Sequence, residues 1–169
     1  MMNGAIQGDR SLILEQGSMT DVLIKRNQFG KGVFATRSFQ KGEWVLGVAG
    51  PLVKYRSIYT IQIAPNLHIL PRPPAKYLNH SCDPNLGVKI NRSGLPDFYA
   101  MRYIEAGEHL TFDYAMTEYV LEEMEEGRDR IVCQCGAPNC RGRIGSYSEL
   151  PEAVKRRYAG FIADYLREE

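Results

Sequence analysis

A chain of 169 residues is the size of one domain and long enough to bury a substantial core. Hydrophobic residues at 44% and charged residues at 24% fit a globular protein, and 21 Lys+Arg against 20 Asp+Glu leave no global field that would recruit a partner of either sign. No apolar run reaches bilayer length, and Met1–Arg10 lacks the charged-then-apolar layout of a secretion signal, so an intracellular protein, cytoplasmic or nuclear, is expected, with signal-less export left open.

Residues 1–20 are polar and weakly patterned and read as a loose leader. Short strands are predicted at Val22–Lys25, Val33–Thr36 and Trp44–Val48, separated by turns at Asn27–Gly32 and Lys41–Glu43. Tyr59–Ile63 and His68–Leu70 flank Pro65-Asn66 as a hairpin, after which Pro71, Pro73 and Pro74 forbid regular structure. Leu86–Ile90 and Phe98–Arg102 surround the turn Arg92-Ser93-Gly94, and His109–Phe112 follows the turn at Ala106–Glu108. Two helices are predicted. One runs from Thr117 to Glu126, capped by Thr117 and stopped by Gly127. The other runs from Pro151 to Arg167, with Val154, Tyr158, Phe161, Ile162, Tyr165 and Leu166 on one stripe. The fold class is mainly β (α+β), built of several small sheets.

Cys133, Cys135 and Cys140 lie too close together to pair easily as disulfides, and they sit among turn-forming Gly136, Pro138 and Asn139. Zinc takes four ligands in a tetrahedron and favours thiolates, and Cys82 can supply the fourth. Four thiolates would leave no open position, so such a site is structural. Reduced, buried cysteines are the alternative.

Cys82 lies in a segment dense in hydrogen-bonding side chains, Asn79-His80-Ser81-Cys82-Asp83-Pro84-Asn85. A capped turn would explain that density, and so would a nucleophilic Cys82 activated by His80, although the latter conflicts with metal ligation. The segment resembles the central motif of the SET-domain family of protein lysine methyltransferases. Three further motifs stand in the family's order: Gly30-Lys31-Gly32-Val33-Phe34-Ala35, Ala106-Gly107-Glu108-His109-Leu110-Thr111-Phe112-Asp113-Tyr114, and Cys133-Gln134-Cys135 through Cys140-Arg141-Gly142.

The resemblance implies a SET-domain fold with a pseudoknot over 21–118, a linker helix and post-SET zinc module over 119–145, and a C-terminal helix over 146–169. It implies methyl transfer from S-adenosyl-L-methionine to a lysine amine of a protein substrate, a histone tail among the candidates. Tyr114 matches the catalytic tyrosine, and Phe112 the position that leaves room for di- or trimethylation. Lys31, Gly32, Val33, Phe34, Tyr77, Asn79, His80, Tyr114 and Gln134 match or neighbour the cofactor contacts, and Cys82, Cys133, Cys135 and Cys140 the zinc ligands (for Lys31, a solvated surface lysine is the alternative).

Two residues depart from the family pattern. Val48 stands where a channel tyrosine is common, with Tyr59 or Tyr119 as the compensating hydroxyl, and His109 stands where glutamate is usual. Glu118, Glu122, Glu123, Glu125 and Glu126 form an acidic run that could attract a basic segment or simply face solvent. Arg141, Arg143, Lys155, Arg156 and Arg157 form a basic stripe without interleaved aromatics, which does not favour direct nucleic-acid binding. A catalytically silent module binding peptide or cofactor is the alternative function.

Overall fold

The computed structural model describes residues 21–119 and 132–167. The expected leader, and the helix predicted to Glu126 beyond Tyr119, lie outside them. Thr117 begins no helix: it closes a 3-10 turn over Tyr114–Met116, for which the Asp113 carboxylate accepts from Ala115 N at 3.1 Å.

Among the described residues ten strands follow in chain order: β1 Val22–Asn27, β2 Gly30–Ala35, β3 Trp44–Gly47, β4 Leu52–Val53, β5 Ile61–Ala64, β6 Leu67–Ile69, β7 Asn79–His80, β8 Leu86–Ile90, β9 Pro96–Ala100 and β10 His109–Phe112. They form three small sheets in the orders β1-β2-β10-β7, β3-β9-β8 and β4-β6-β5. The first is anchored by the β1–β2 hairpin, whose register runs from Val22↔Ala35 to Asn27↔Gly30. Its two-residue turn depends on Gly30, at φ +107°. Asn66, at φ 57°, turns the β5–β6 hairpin as Pro65-Asn66 predicted.

The period-2 pattern decides which faces meet. Val33 and Ala35 of β2, Leu86 and Val88 of β8, Phe98 and Ala100 of β9 and Leu110 and Phe112 of β10 all point into one core. β8 and β10 match their predicted limits. β9 starts at Pro96, earlier than expected, because its early residues pair with both neighbours, Asp97 with Gly47 and with Lys89. β4 and β7, two residues each, carry no strand signal in the sequence: a dipeptide has no periodicity, and only a distant partner makes it a strand. For β7 that partner is β10, in parallel, with Thr111↔Asn79 and Phe112↔His80.

The helix predicted from Pro151 to Arg167 forms only in part. α1 spans Glu152–Arg157, and a 3-10 turn covers Asp164–Leu166. Gly160, at φ +83°, turns the chain between them, so that Phe161 O accepts from Val88 N at 3.0 Å. A continuous helix would spend that carbonyl internally and lose the contact with β8. The apolar stripe still packs: Tyr158, Ile162 and Leu166 are buried.

Candidate active site and metal centre

The β7–β10 crossing is held by local hydrogen bonds. Buried Asn85 donates to His109 O at 2.8 Å and accepts from Thr111 N at 2.9 Å, and Ser81 N donates to Phe112 O at 3.1 Å. Tyr114 emerges just beyond. Its hydroxyl donates to Leu78 O at 3.0 Å, and burial pushes the phenol up to about 12. Phe112 is packed between Phe98 and Tyr114, with ring centroids 4.8 and 4.9 Å away. His80 is drawn down to about 4, chiefly by burial, with Asp113 opposing. It is therefore a neutral imidazole: Nδ1 accepts from Tyr114 N at 3.2 Å, which leaves Nε2–H to face Cys82 Sγ at 3.5 Å.

Tyr114, Phe112, Leu78, Ile61, Thr117 and Ile144 line a pocket that opens to solvent. Tyr59 lies on its rim, 53% exposed, with the Lys76 ammonium 5.3 Å above its ring. Val48 is buried in the core. Glu118 leaves the expected acidic run: it is buried, accepts from Gln62 N at 3.0 Å, and sits 3.4 Å from Arg56 Nε. Burial pushes its carboxyl up. The other four glutamates of that run lie outside the described residues.

The glycine motif joins β7 from the other side of its sheet neighbour β10. Asn79 Nδ2 donates to Lys31 O at 3.3 Å, and the Lys31 ammonium lies 4.9 Å over the Tyr77 ring. Val33 commits its side chain to the core, so it can offer a ligand only backbone. Phe34 stacks on His109 at 4.8 Å, and Gln134 is exposed. These groups are not among the lining of the Tyr114 pocket. They offer an ammonium, an amide and a flat aromatic face, a set suited to a zwitterionic, nucleoside-bearing ligand.

The sulfur atoms of Cys82, Cys133, Cys135 and Cys140 lie within 4.8 Å of one another, and none is in a disulfide. Cys82 and Cys133 Sγ are 3.8 Å apart. A zinc tetrahedron with bonds of about 2.3 Å has sulfur–sulfur edges of about 3.8 Å. Arg141 N and Gly142 N donate to Cys82 and Cys140 Sγ, each at 3.4 Å, as suits thiolates. Burial pushes the Cys82 and Cys133 thiols up, so a cation is needed to ionise them. The four sulfurs therefore fit zinc, and Cys82, enclosed among them, is not placed as a free nucleophile.

Sequence reasoning missed Asp113. Fully buried, it accepts from Arg141 at 2.7 Å and from the Tyr158 hydroxyl at 2.9 Å, joining the core to the cysteine loop and the C-terminal segment. Its place between Phe112 and Tyr114, and an arginine directly after Cys140, were the available signals. The basic stripe is largely spent inside the molecule. Arg141 pairs with Asp113, Arg143 with Glu149 and Lys155 with Glu152, while Arg157 donates to Cys82 O at 3.0 Å.

Residues 30–115, just over half of the chain, match the family model for the SET domain. The chain belongs to the SET domain family. Among curated relatives of this SET domain, the histone-lysine N-methyltransferase, H3 lysine-4 specific, of Saccharomyces cerevisiae is 42% identical over 71 residues, 40% of this chain and 6% of that protein. Histone-lysine N-methyltransferase ASHH3 of Arabidopsis thaliana is 26% identical over 165 residues, 85% of this chain and 43% of that protein. The chain thus spans less than half the length of these relatives. The crystal structure of KRYPTONITE in complex with mCHG DNA and SAH superposes with a TM-score of 0.61 at 25% identity, covering 73% of this chain and 28% of that one. The mainly β SET fold expected from the sequence is the fold observed. Among the described residues no helix is long and apolar enough to cross a membrane.

Proposed function

We propose that this SET domain is a protein lysine N-methyltransferase acting on a basic, lysine-bearing segment such as a histone tail. The observation that carries the reading is the convergence of Tyr114 and Phe112 on one pocket, directly beside Asn79-His80 at the β7–β10 crossing. The relatives named as histone-lysine N-methyltransferases support it. S-adenosyl-L-methionine, bound by Asn79, His80, Tyr77 and the Lys31–Phe34 backbone, supplies a methyl group activated on sulfonium. Gln134 is the outlying member of that set.

The protein's own task is to present a neutral amine in line and dry. A free lysine has a pKa near ~10.4, and the apolar pocket around Phe112, Leu78 and Ile61 favours its neutral form. Tyr114 donates its O–H hydrogen bond to Leu78 O, so the free lone pairs of its oxygen are left as acceptors that can orient an incoming N–H. Tyr59 on the rim contacts the alkyl stem, and Phe112, with no hydroxyl to hold a water, leaves room for di- and trimethylation. Cys82, Cys133, Cys135 and Cys140 hold one structural zinc ion. Incubation with methyl-labelled S-adenosyl-L-methionine over histones and cell lysate is expected to label a lysine. Tight cofactor binding without label on any protein would instead identify a catalytically silent module.

A further inference from the structure

The turn that carries Tyr114 runs straight into a clasp onto β5. Thr117 N and Glu118 N each donate to Tyr114 O at 3.1 Å. The Glu118 carboxylate accepts from Gln62 N at 3.0 Å through Oε1. In return the Gln62 side-chain carbonyl accepts from Tyr119 N at 3.0 Å and from Arg56 Nη2 at 3.3 Å. These bonds fix Glu118 in the lining of the pocket that also holds Tyr114 and Phe112.

Charges around that pocket are few. Among the described residues Glu118 is the one carboxylate in the lining, and Arg56 and Lys76 are its cations. Asp113, although next to Tyr114 in sequence, is committed to Arg141 and Tyr158 and is not part of the lining. Buried His68, drawn down by burial and by the Arg56 charge, is neutral and adds nothing to the balance. Arg56 Nε lies 3.4 Å from Glu118 Oε2, yet neither atom makes a hydrogen bond. Taking a carboxylate out of water costs free energy that hydrogen bonds and counter-charges must offset. Here burial outweighs Gln62, Arg56 and Thr117 together, and the carboxyl is pushed up. The ionised form is under-compensated, so a further cation brought into the pocket stabilises it.

We propose that Glu118 is a specificity-determining residue of this pocket, whose negative charge selects a side chain that arrives as a cation, and that Arg56 beside it tempers the selection. The proposal rests on the methyltransferase reading and deepens it. An apolar lining of Phe112, Leu78 and Ile61 accepts an aliphatic stem but discriminates weakly by its tip. A free lysine, with a pKa near ~10.4, arrives as an ammonium, and the Glu118 charge favours that tip over a methyl group. Glu118 acts through its field rather than by contact, because Oε2 is enclosed.

Calorimetry on the full chain, with S-adenosylhomocysteine present at about pH 8, separates this role from a general structural one. The probes are two peptides copied from the lysine site labelled in the incubation above, one with lysine and one with norleucine, which is lysine without its nitrogen. Glu118→Gln, whose amide oxygen can still accept from Gln62 N, is expected to weaken the lysine peptide at least about fivefold and the norleucine peptide less than about twofold. Arg56→Gln removes the opposing cation and is expected to raise the preference for lysine over norleucine at least about twofold. A structural role would not move the two variants in opposite directions, and if Glu118→Gln does not fold, Arg56→Gln decides alone. Equal weakening of both peptides by Glu118→Gln, an unchanged lysine peptide, or an Arg56→Gln variant whose preference for lysine is the same or lower overturns the role of Glu118 alone. Absence of label on any protein with the unaltered chain overturns the methyltransferase reading and this proposal with it.

Discussion

The Tyr114 hydroxyl beside the pocket is committed to Leu78 O. Because burial pushes it up to about 12, it stays a phenol throughout the working range, so its proposed part in methyl transfer is orientation rather than base catalysis. Tyr114→Phe deletes one oxygen from a ring packed against Phe112 and His80 and is expected to leave the fold intact. Turnover should fall by about 100-fold or more, the scale of a lost transition-state contact, which single-turnover kinetics would measure. Near-normal turnover in the folded variant would remove Tyr114 from the chemistry. The folded-state pKa lies above the free tyrosine value, so the native state binds its proton more tightly. Stability from this group is therefore complete below about pH 10 and declines as the pH rises towards 12. The rate should accordingly climb with pH as the substrate amine deprotonates, with no loss attributable to Tyr114 before pH 10 in a pH–rate profile. Phe112 has a different proposed role, in the number of methyl groups the pocket admits. Phe112→Tyr restores a hydroxyl that can hold water in the pocket, and mass spectrometry of products at long times should then show a shift towards monomethyl-lysine.

At the level of elements, legibility followed the range of the interaction. Hairpins and strands whose own side chains alternate could be read directly: β8 and β10 match their predicted ends, and Asn66 supplies the turn its sequence promised. Elements created by a remote partner could not. β7 is a dipeptide that becomes a strand through β10, and α1 stops where the chain turns to bond β8. Glu118 looked like one more surface glutamate until Gln62 and Arg56, more than fifty residues earlier, enclosed it. The docking of the C-terminal segment on β8 gives a test. A Cβ at Gly87 would lie 2.4 Å from Phe161 Cβ, a contact that neither residue can relieve by a rotamer change. Gly87→Ala should cost about 1–3 kcal/mol in urea unfolding, the usual penalty of overpacking. Phe161→Gly should recover much of the loss caused by the clash, whereas Phe161→Ala, which keeps the clashing atom, should not. Equal recovery by both would show that the ring, rather than the close backbone approach, sets the fit.

Across the described residues, the cysteine cluster and Asp113 serve one end: they fasten residues 132–167 to the β7–β10 crossing. Cys82 belongs both to the segment that carries Asn79 and His80 and to the metal centre, while Arg141, one residue after Cys140, reaches back to Asp113 beside Tyr114. The candidate roles of these cysteines came from counting and motif order, whereas the Asp113–Arg141–Tyr158 brace became visible only once the chain was folded. Chelation of the proposed zinc would leave four sulfurs gathered by a brace that holds only one corner of the loop. Two of them, Cys82 and Cys133, would return to thiols, because burial pushes both up in the absence of a cation. The 132–145 region should then loosen while the β-sheet core persists. Hydrogen exchange should show faster exchange at Arg141 and Gly142, whose N–H groups now donate to sulfur, and unchanged protection in β8 and β9. Methyl transfer should fall with the same zinc dependence and return on readdition of the metal. Asp113→Asn, which weakens the brace but leaves the four cysteines in place, should lower stability while retaining one bound zinc by native mass spectrometry. Full activity in protein verified to be free of zinc would show that the brace alone holds the cofactor and lysine sites together, and that the metal is dispensable to them.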